Sequence, residues 1–159
     1  MFNLETALRP NVRSLTPYRS ARDDYSSGIL LDANENALGS CVFSELHLER
    51  YPDPHQINLR QLIGSLRNVD PSTVFCGVGS DEVLDLLVRM FCVPGKESIL
   101  ITPPTYGMYG VCAHINDVNV ISVPLLDVSY QLDVEKLIST LKSDKSIKIV
   151  FLCSPGNPT

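Results

Sequence analysis

No apolar run in this sequence approaches the roughly 18 consecutive residues that a membrane-spanning helix needs, so a spanning role has no support. Charge of one sign is not clustered either. Thirteen Lys and Arg against 18 Asp and Glu give a formal net charge of −5, which leaves no basic footprint for nucleic acid and no basic face for a membrane surface. The five cysteines, Cys41, Cys76, Cys92, Cys112 and Cys153, include no Cys-x-x-Cys pair. Most lie in apolar segments, where a free thiol behaves as a small hydrophobe, and buried reduced thiols are expected. His47, His55 and His114 share no spacing with carboxylates or with one another that would hold a metal, so surface or helix-packing positions are expected of them. A Gly-x-Ser-x-Gly elbow is missing, and with it any case for acyl transfer. The N-terminal "MFNLETALRPNVRSLTPYRSARDD" has no continuous apolar stretch, because Glu5, Arg9 and Arg13 interrupt it, and its acidic residues argue against a transit peptide. A cytoplasmic protein is the expectation.

What is there is globular. The 159 residues suit one ordinary domain, and 44% hydrophobic with 19% charged residues is the composition of a packed chain. Residues 1–53 are irregular, and from Pro54 onward the pattern becomes regular. Leu59, Leu62, Ile63 and Leu66 follow the i, i+3, i+4, i+7 spacing of an amphipathic helix. "STVFCGV" reads as a strand and "SDEVLDLLVRMFC" as a helix stopped by Pro94-Gly95. "ESILIT", "VNVISVPL" and "SIKIVFLC" read as further strands. Helices are expected between them, over "TYGMYGVCAHIN" and around Val134, Leu137, Ile138 and Leu141. Strands that alternate with helices, and whose apolar runs are continuous, predict a three-layer α/β architecture around a mostly parallel sheet.

In such sheets ligands bind beyond the carboxyl ends of the strands. Three exits carry unusual sequence: "GVGSDE", "PPTYGMY" and "CSPGNPT". In the first, Gly77 and Gly79 allow a sharp turn straight into a helix, whose free N–H groups and dipole favour an anion. The plainer reading is a glycine turn with Ser80 as N-cap and acidic residues in the first turn. If Asp81 and Glu82 point away, their backbone N–H groups can serve an anion without repelling it. A dinucleotide fingerprint fails at Glu82, and a Walker loop lacks its Gly-Lys-Ser/Thr. Tyr106 and Tyr109 are placed in the first turn of the next helix. Tyr109 shares a face with Cys112 and Ala113 and reads as core, whereas Tyr106 stands closer to the sheet edge and is the better ligand contact. Asn157 can donate and accept toward a phenolate or carboxylate oxygen, although Asn-Pro taken alone favours an Asx turn.

These blocks carry a family resemblance. "LTPYRSARDD", "LDANENALG", "RYPDPHQ", "GSDEVLDLLVRMFCVPGKE", "PPTYGMYGVCA" and "SPGNPT" stand in order and spacing similar to the N-terminal part of the histidinol-phosphate aminotransferase family, with fungal-like wording. That family belongs to the class-II pyridoxal-phosphate-dependent aminotransferases of fold type I. The resemblance implies pyridoxal 5'-phosphate as cofactor. It implies that backbone at Ser80, Asp81 and Glu82 holds the cofactor phosphate, that Tyr106 stacks on the pyridine ring, and that Asn157 bonds its phenolic oxygen. Tyr51 would reach the phosphate of the neighbouring subunit in a homodimer, and Tyr18 and Asn34 would border the substrate. Gly156 departs from the Asn that many relatives carry there. The implied reaction is amino transfer between histidinol phosphate and 2-oxoglutarate, giving imidazole acetol phosphate and glutamate in histidine biosynthesis. No catalytic residue and no metal ligand is assigned within the chain, because the Schiff-base lysine is expected beyond Thr159. The expected layout is thus residues 1–53 as an arm serving substrate and dimer contacts, and residues 54–159 as the first part of an incomplete large domain. Alone, such a chain is expected to be inactive. The rival readings are a non-catalytic phosphate-binding α/β module and a non-functional product.

Overall fold

The computed structural model describes residues 3–25 and 27–158. They form two compact units, Thr16–Cys76 and, together, Met1–Leu15 with Gly77–Thr159. The first residues dock on the sheet-bearing unit, where the Arg9 amide donates to the Met90 carbonyl at 2.9 Å and its guanidinium donates to the Arg89 carbonyl at 2.8 Å. Two of the last carbonyls of a helix, otherwise without intrahelical donors, are satisfied in this way. Two one-turn helices, α1 (Leu4–Ala7) and α2 (Pro10–Arg13), flank Arg9 in that segment.

The unit's sheet is parallel throughout, with β1 (Ser98–Ile101) between β2 (Asn119–Ser122) and β3 (Ile147–Phe151). Helix α4 (Gly79–Phe91) precedes β1, α5 (Met108–Ile115) joins β1 to β2, and α6 (Val134–Ser143) joins β2 to β3. The α4 sequence places Val83, Leu84, Leu87, Val88 and Phe91 along one face. Asp81 and Glu82 stand in its first turn and Arg89 in its last, the charge order that the helix dipole favours. Helices α4 and α5 pack on each other, α5 on β1 and β2, and α4 on β3. Their shared core joins Val88 and Cys92 to Ile99, Tyr109, Cys112, Ala113 and Phe151. Tyr109 stacks on Phe151 with ring centroids 4.7 Å apart. Leu100 is as buried as Ile99, yet it points to the opposite face of the strand. Strand β1 is therefore covered on both sides, as the continuous apolar run predicts.

Unit Thr16–Cys76 has one regular helix of length, α3 (Ile57–Arg67), which packs on a 3₁₀ turn at Pro71–Thr73. Gly64 permits that approach, since a Cβ there would lie 2.9 Å from the Val69 carbonyl oxygen.

Four expectations need correction here. The strand over "STVFCGV" is not formed: Asp70 accepts from the Ser72 amide at 2.7 Å and winds the chain into the turn, and no strand pairs with residues 74–78 among the described residues. Without a ladder partner, β-propensity has nothing to act on. The α3 periodicity is real, but Leu59, Leu62 and Leu66 are exposed. Cys41 is exposed, while Cys92 and Cys112 are buried and all five thiols are free. Tyr106 precedes α5 rather than lying in its first turn, and Tyr109 is the core residue.

Candidate functional site

At the carboxyl edge of the sheet, three segments of the larger unit meet the sequence expectation in different ways. The turn at Val78-Gly79 opens α4, and Gly79 adopts φ +76 with nothing within 4 Å of where a Cβ would stand. A left-handed backbone at an open position is what glycine tolerates and other residues resist. The N-cap is Val78, with no side-chain cap, so Ser80 is not the N-cap; it is the second residue of the helix. Among the described residues, the amides of Ser80 and Asp81, second and third in the helix, donate to no acceptor outside it, and a helix's first amides lack acceptors inside it; the Glu82 amide follows as the fourth. Ser80 is exposed. The result is a row of donors at the positive end of a helix, beginning at an exposed Ser80.

The two carboxylates of that turn do not point away. Asp81 accepts from the Tyr106 hydroxyl at 3.0 Å and 3.3 Å through its two oxygens. Glu82 folds back to accept from the Val78 amide, at the very start of its own helix. Each carboxylate therefore has a donor of its own, which lowers the repulsion an anion would otherwise meet. The bond to Asp81 raises the Tyr106 pKa, because a phenolate beside that carboxylate would lose its donor and gain a like charge. The half-buried Tyr106 ring meets Tyr109 edge-on, with centroids 5.7 Å apart. Burial, joined by Cys153, pushes Tyr109 up to about 12. Asn157 lies in the exposed loop after β3, and its amide makes no hydrogen bond among the described residues. Thr159 is outside them.

Tyr18, Asn34 and Tyr51 belong to the other unit, and there they share a wall. All three line an open hollow of about 1090 Å³, together with Arg22, Asp32 and His55. The sequence reading found no partner for His55, yet its Nε2 lies 2.8 Å from Asp23 Oδ1; a separation of 32 residues hides the pair from any local pattern. Two further residues escaped that reading. Glu35 accepts from the Tyr51 amide at 2.8 Å, from Arg22 at 3.1 Å and from Arg50 at 2.5 Å. Arg22 also donates to both oxygens of Asp32, each at 3.1 Å. Among the described residues, no group of three or more His, Cys, Asp and Glu side chains could hold a metal ion.

A parallel βαβ sheet, with a glycine turn feeding a helix and an aromatic just past the central strand, defines an α/β domain with its ligand edge at the strand ends. The family model for aminotransferase class I and II matches residues 28–159, and the chain belongs to that family. It is 47% identical to histidinol-phosphate aminotransferase of Candida maltosa, over 100% of this chain and 45% of the relative. It is 50% identical to that of Schizosaccharomyces pombe, over 100% of this chain and 44% of the relative. The chain thus spans about 45% of the length of these curated relatives. A solved histidinol-phosphate aminotransferase from Clostridium acetobutylicum superposes with a TM-score of 0.56 at 25% identity, over 69% of this chain and 30% of that one. One from Sinorhizobium meliloti, in complex with pyridoxal-5'-phosphate, gives 0.61 at 23% identity, over 69% and 29%, and supports the fold alone. No helix among the described residues is long and apolar enough to cross a membrane.

Proposed function

We propose that this chain carries the cofactor-holding part of a pyridoxal-phosphate transaminase acting on histidinol phosphate and 2-oxoglutarate. Imidazole acetol phosphate and glutamate would be the products, a step of histidine biosynthesis in the cytoplasm, and the working form would be a homodimer. The observation that carries the reading is the juxtaposition of the first turn of α4 with Tyr106. The backbone of Ser80, Asp81 and Glu82 forms the start of the helix, beside a tyrosine ring that Asp81 holds in place. That donor set fits a phosphate monoester, and the ring beside it fits a flat heterocycle.

When bound, the cofactor supplies an aldehyde that takes up the amino nitrogen and an electron sink for the proton loss that follows. The residues of this chain have separate tasks. The amides of Ser80, Asp81 and Glu82 hold the phosphate. Tyr106 flanks the pyridine ring, and its hydroxyl bond to Asp81 fixes the ring's pitch. The Asn157 amide donates to the phenolic oxygen and favours its ionised form. Tyr51 contributes a hydroxyl to the phosphate of the other subunit, while Tyr18 and Asn34 border the substrate. Proton transfer falls to a lysine outside this set. Lys148 lies near the start of β3 and pairs with Glu97 at 3.4 Å, Lys136 and Lys142 lie on α6, and Lys96 and Lys145 precede β1 and β3. Four of the five thus lie at the starts of strands or late in α6, and Lys136 lies on α6.

The test is a glutamate-formation assay from histidinol phosphate and 2-oxoglutarate, on the protein extended to the length of its relatives. A parallel cofactor titration is followed by absorbance. Gly79→Val should weaken cofactor affinity at least about tenfold, because a β-branched residue resists φ +76. Unchanged affinity in that variant would remove the phosphate from the α4 turn.

A further inference from the structure

We infer that Glu35 is the positioning residue of the hollow in unit Thr16–Cys76, holding the Tyr51 backbone against the segment that bears Asn34. None of the fully buried hydrophobic residues among the described ones falls within residues 16–76, and Ile29, Leu31, Leu38 and Phe43 are all at least 89% exposed. Apolar burial does not order these irregular segments, so their arrangement depends on polar contacts.

Glu35 is where those contacts converge. Its side chain is only 7% exposed, unusual for a carboxylate outside a core. Oε1 accepts both from the Tyr51 amide at 2.8 Å and from Arg22 at 3.1 Å, and Oε2 accepts from Arg50 at 2.5 Å. Arg22 in turn grips Asp32 with two bonds. Three chain segments, around residues 22, 32–35 and 50–51, are thereby tied at one carboxylate. Arg22, Asp32, Asn34 and Tyr51 all line the hollow, whereas Glu35 does not. It acts through them. An exposed ion pair contributes little, but a screened carboxylate that satisfies a backbone N–H and two guanidinium groups is a different case. The bond to the Tyr51 amide sets where that residue leaves the backbone, and a shift of about 1 Å in a positioning group is costly for ligand binding.

Hydrogen exchange at the Tyr51 amide, read in this chain for wild type, Glu35→Gln and Glu35→Ala, tests the inference without any ligand. Glu35→Ala should speed exchange at Tyr51 at least about tenfold, the loss expected for a hydrogen bond to a charged group. Glu35→Gln keeps a carbonyl oxygen for that amide and should stay within about threefold of wild type, although both arginine pairings weaken. Amides of α3 should not change. Unchanged exchange at Tyr51 in Glu35→Ala would overturn the inference. So would equal acceleration in α3, which would mark a merely structural role, or equal loss in Glu35→Gln, which would shift the work to the charge.

Its bearing on cofactor affinity rests on the role proposed above for Tyr51. In the extended protein, pyridoxal phosphate titration should show weaker binding for Glu35→Ala and near-normal binding for Glu35→Gln. The Glu35→Ala/Tyr51→Phe double variant should be less impaired than the two single effects combined. If the extended wild type binds no pyridoxal phosphate, the functional reading fails, while the exchange experiment still decides the role of Glu35. Full additivity in the double variant would show that Glu35 does not act through Tyr51.

Discussion

The Tyr106 hydroxyl donates to the Asp81 carboxylate at 3.0 Å, joining the loop after the central strand to the first turn of the helix before it. The two residues are 25 positions apart, and each stands out in the sequence for a different reason, Tyr106 for its ring and Asp81 for its backbone. The side-chain bond makes them one feature. It orients the aromatic face and keeps a carboxylate engaged beside a helix N-terminus.

That bond predicts a titration. Tyr106 is raised chiefly because its hydroxyl donates to Asp81, so the neutral form is favoured in the fold and is lost only as pH rises through the elevated value. Asp81→Asn should bring the Tyr106 transition down toward the ordinary tyrosine range. Ultraviolet tyrosinate absorbance, with Tyr106→Phe identifying the component, checks this. A Tyr106 transition that does not move in Asp81→Asn would contradict it.

The carboxylates of unit Thr16–Cys76 predict acid sensitivity. Asp23 is lowered chiefly by the hydrogen bond with His55, Asp32 by that from Arg22, and Glu35 by the Tyr51 amide. Groups with depressed folded values contribute stability above the unfolded carboxylate range, near pH 4, and lose it as pH falls through the folded values. Protection from exchange at the described amides within 20–56, taken relative to the intrinsic rate at each pH, should therefore fall below about pH 4. The Glu35→Gln variant should show a smaller change over that window, because it has one fewer group to protonate. An identical acid profile in the variant would count against Glu35.

The core predicts an ordinary cavity cost. Leu100 is fully buried in the central strand, and Leu100→Ala should destabilise the sheet-bearing unit by about 2–5 kcal/mol. Denaturant unfolding followed by circular dichroism measures it. A loss under about 1 kcal/mol would mean that the second face of β1 is loosely packed.

The lysine positions predict a labelling pattern. With Lys148 paired to Glu97, Lys136 and Lys142 on α6, and Lys96 and Lys145 preceding β1 and β3, incubation with pyridoxal phosphate and borohydride reduction should label this chain diffusely. Peptide mapping that found one lysine modified stoichiometrically would show an amine at the ligand edge after all.

Much of the sheet-bearing unit was legible from sequence because its signals are local. Apolar runs at 98–101, 119–122 and 147–151 became strands, and the 3.6-residue spacing of α4 and α6 marked helices in place, since side-chain periodicity follows from backbone geometry alone. The aminotransferase family was legible for a similar reason: its blocks are contiguous, and contiguous sequence can be compared directly. The tertiary structure decided what depends on partners distant in the chain. "STVFCGV" has strand composition but no strand to pair with among the described residues, so it stayed unpaired. The carboxylates of Asp81 and Glu82 could be placed only once Tyr106 and the Val78 amide were in position. His55 found Asp23, and Glu35 found Tyr51, across 32 and 16 residues. A hydrogen bond has no period along a sequence; it depends on where folding brings two groups, and that was decided in three dimensions.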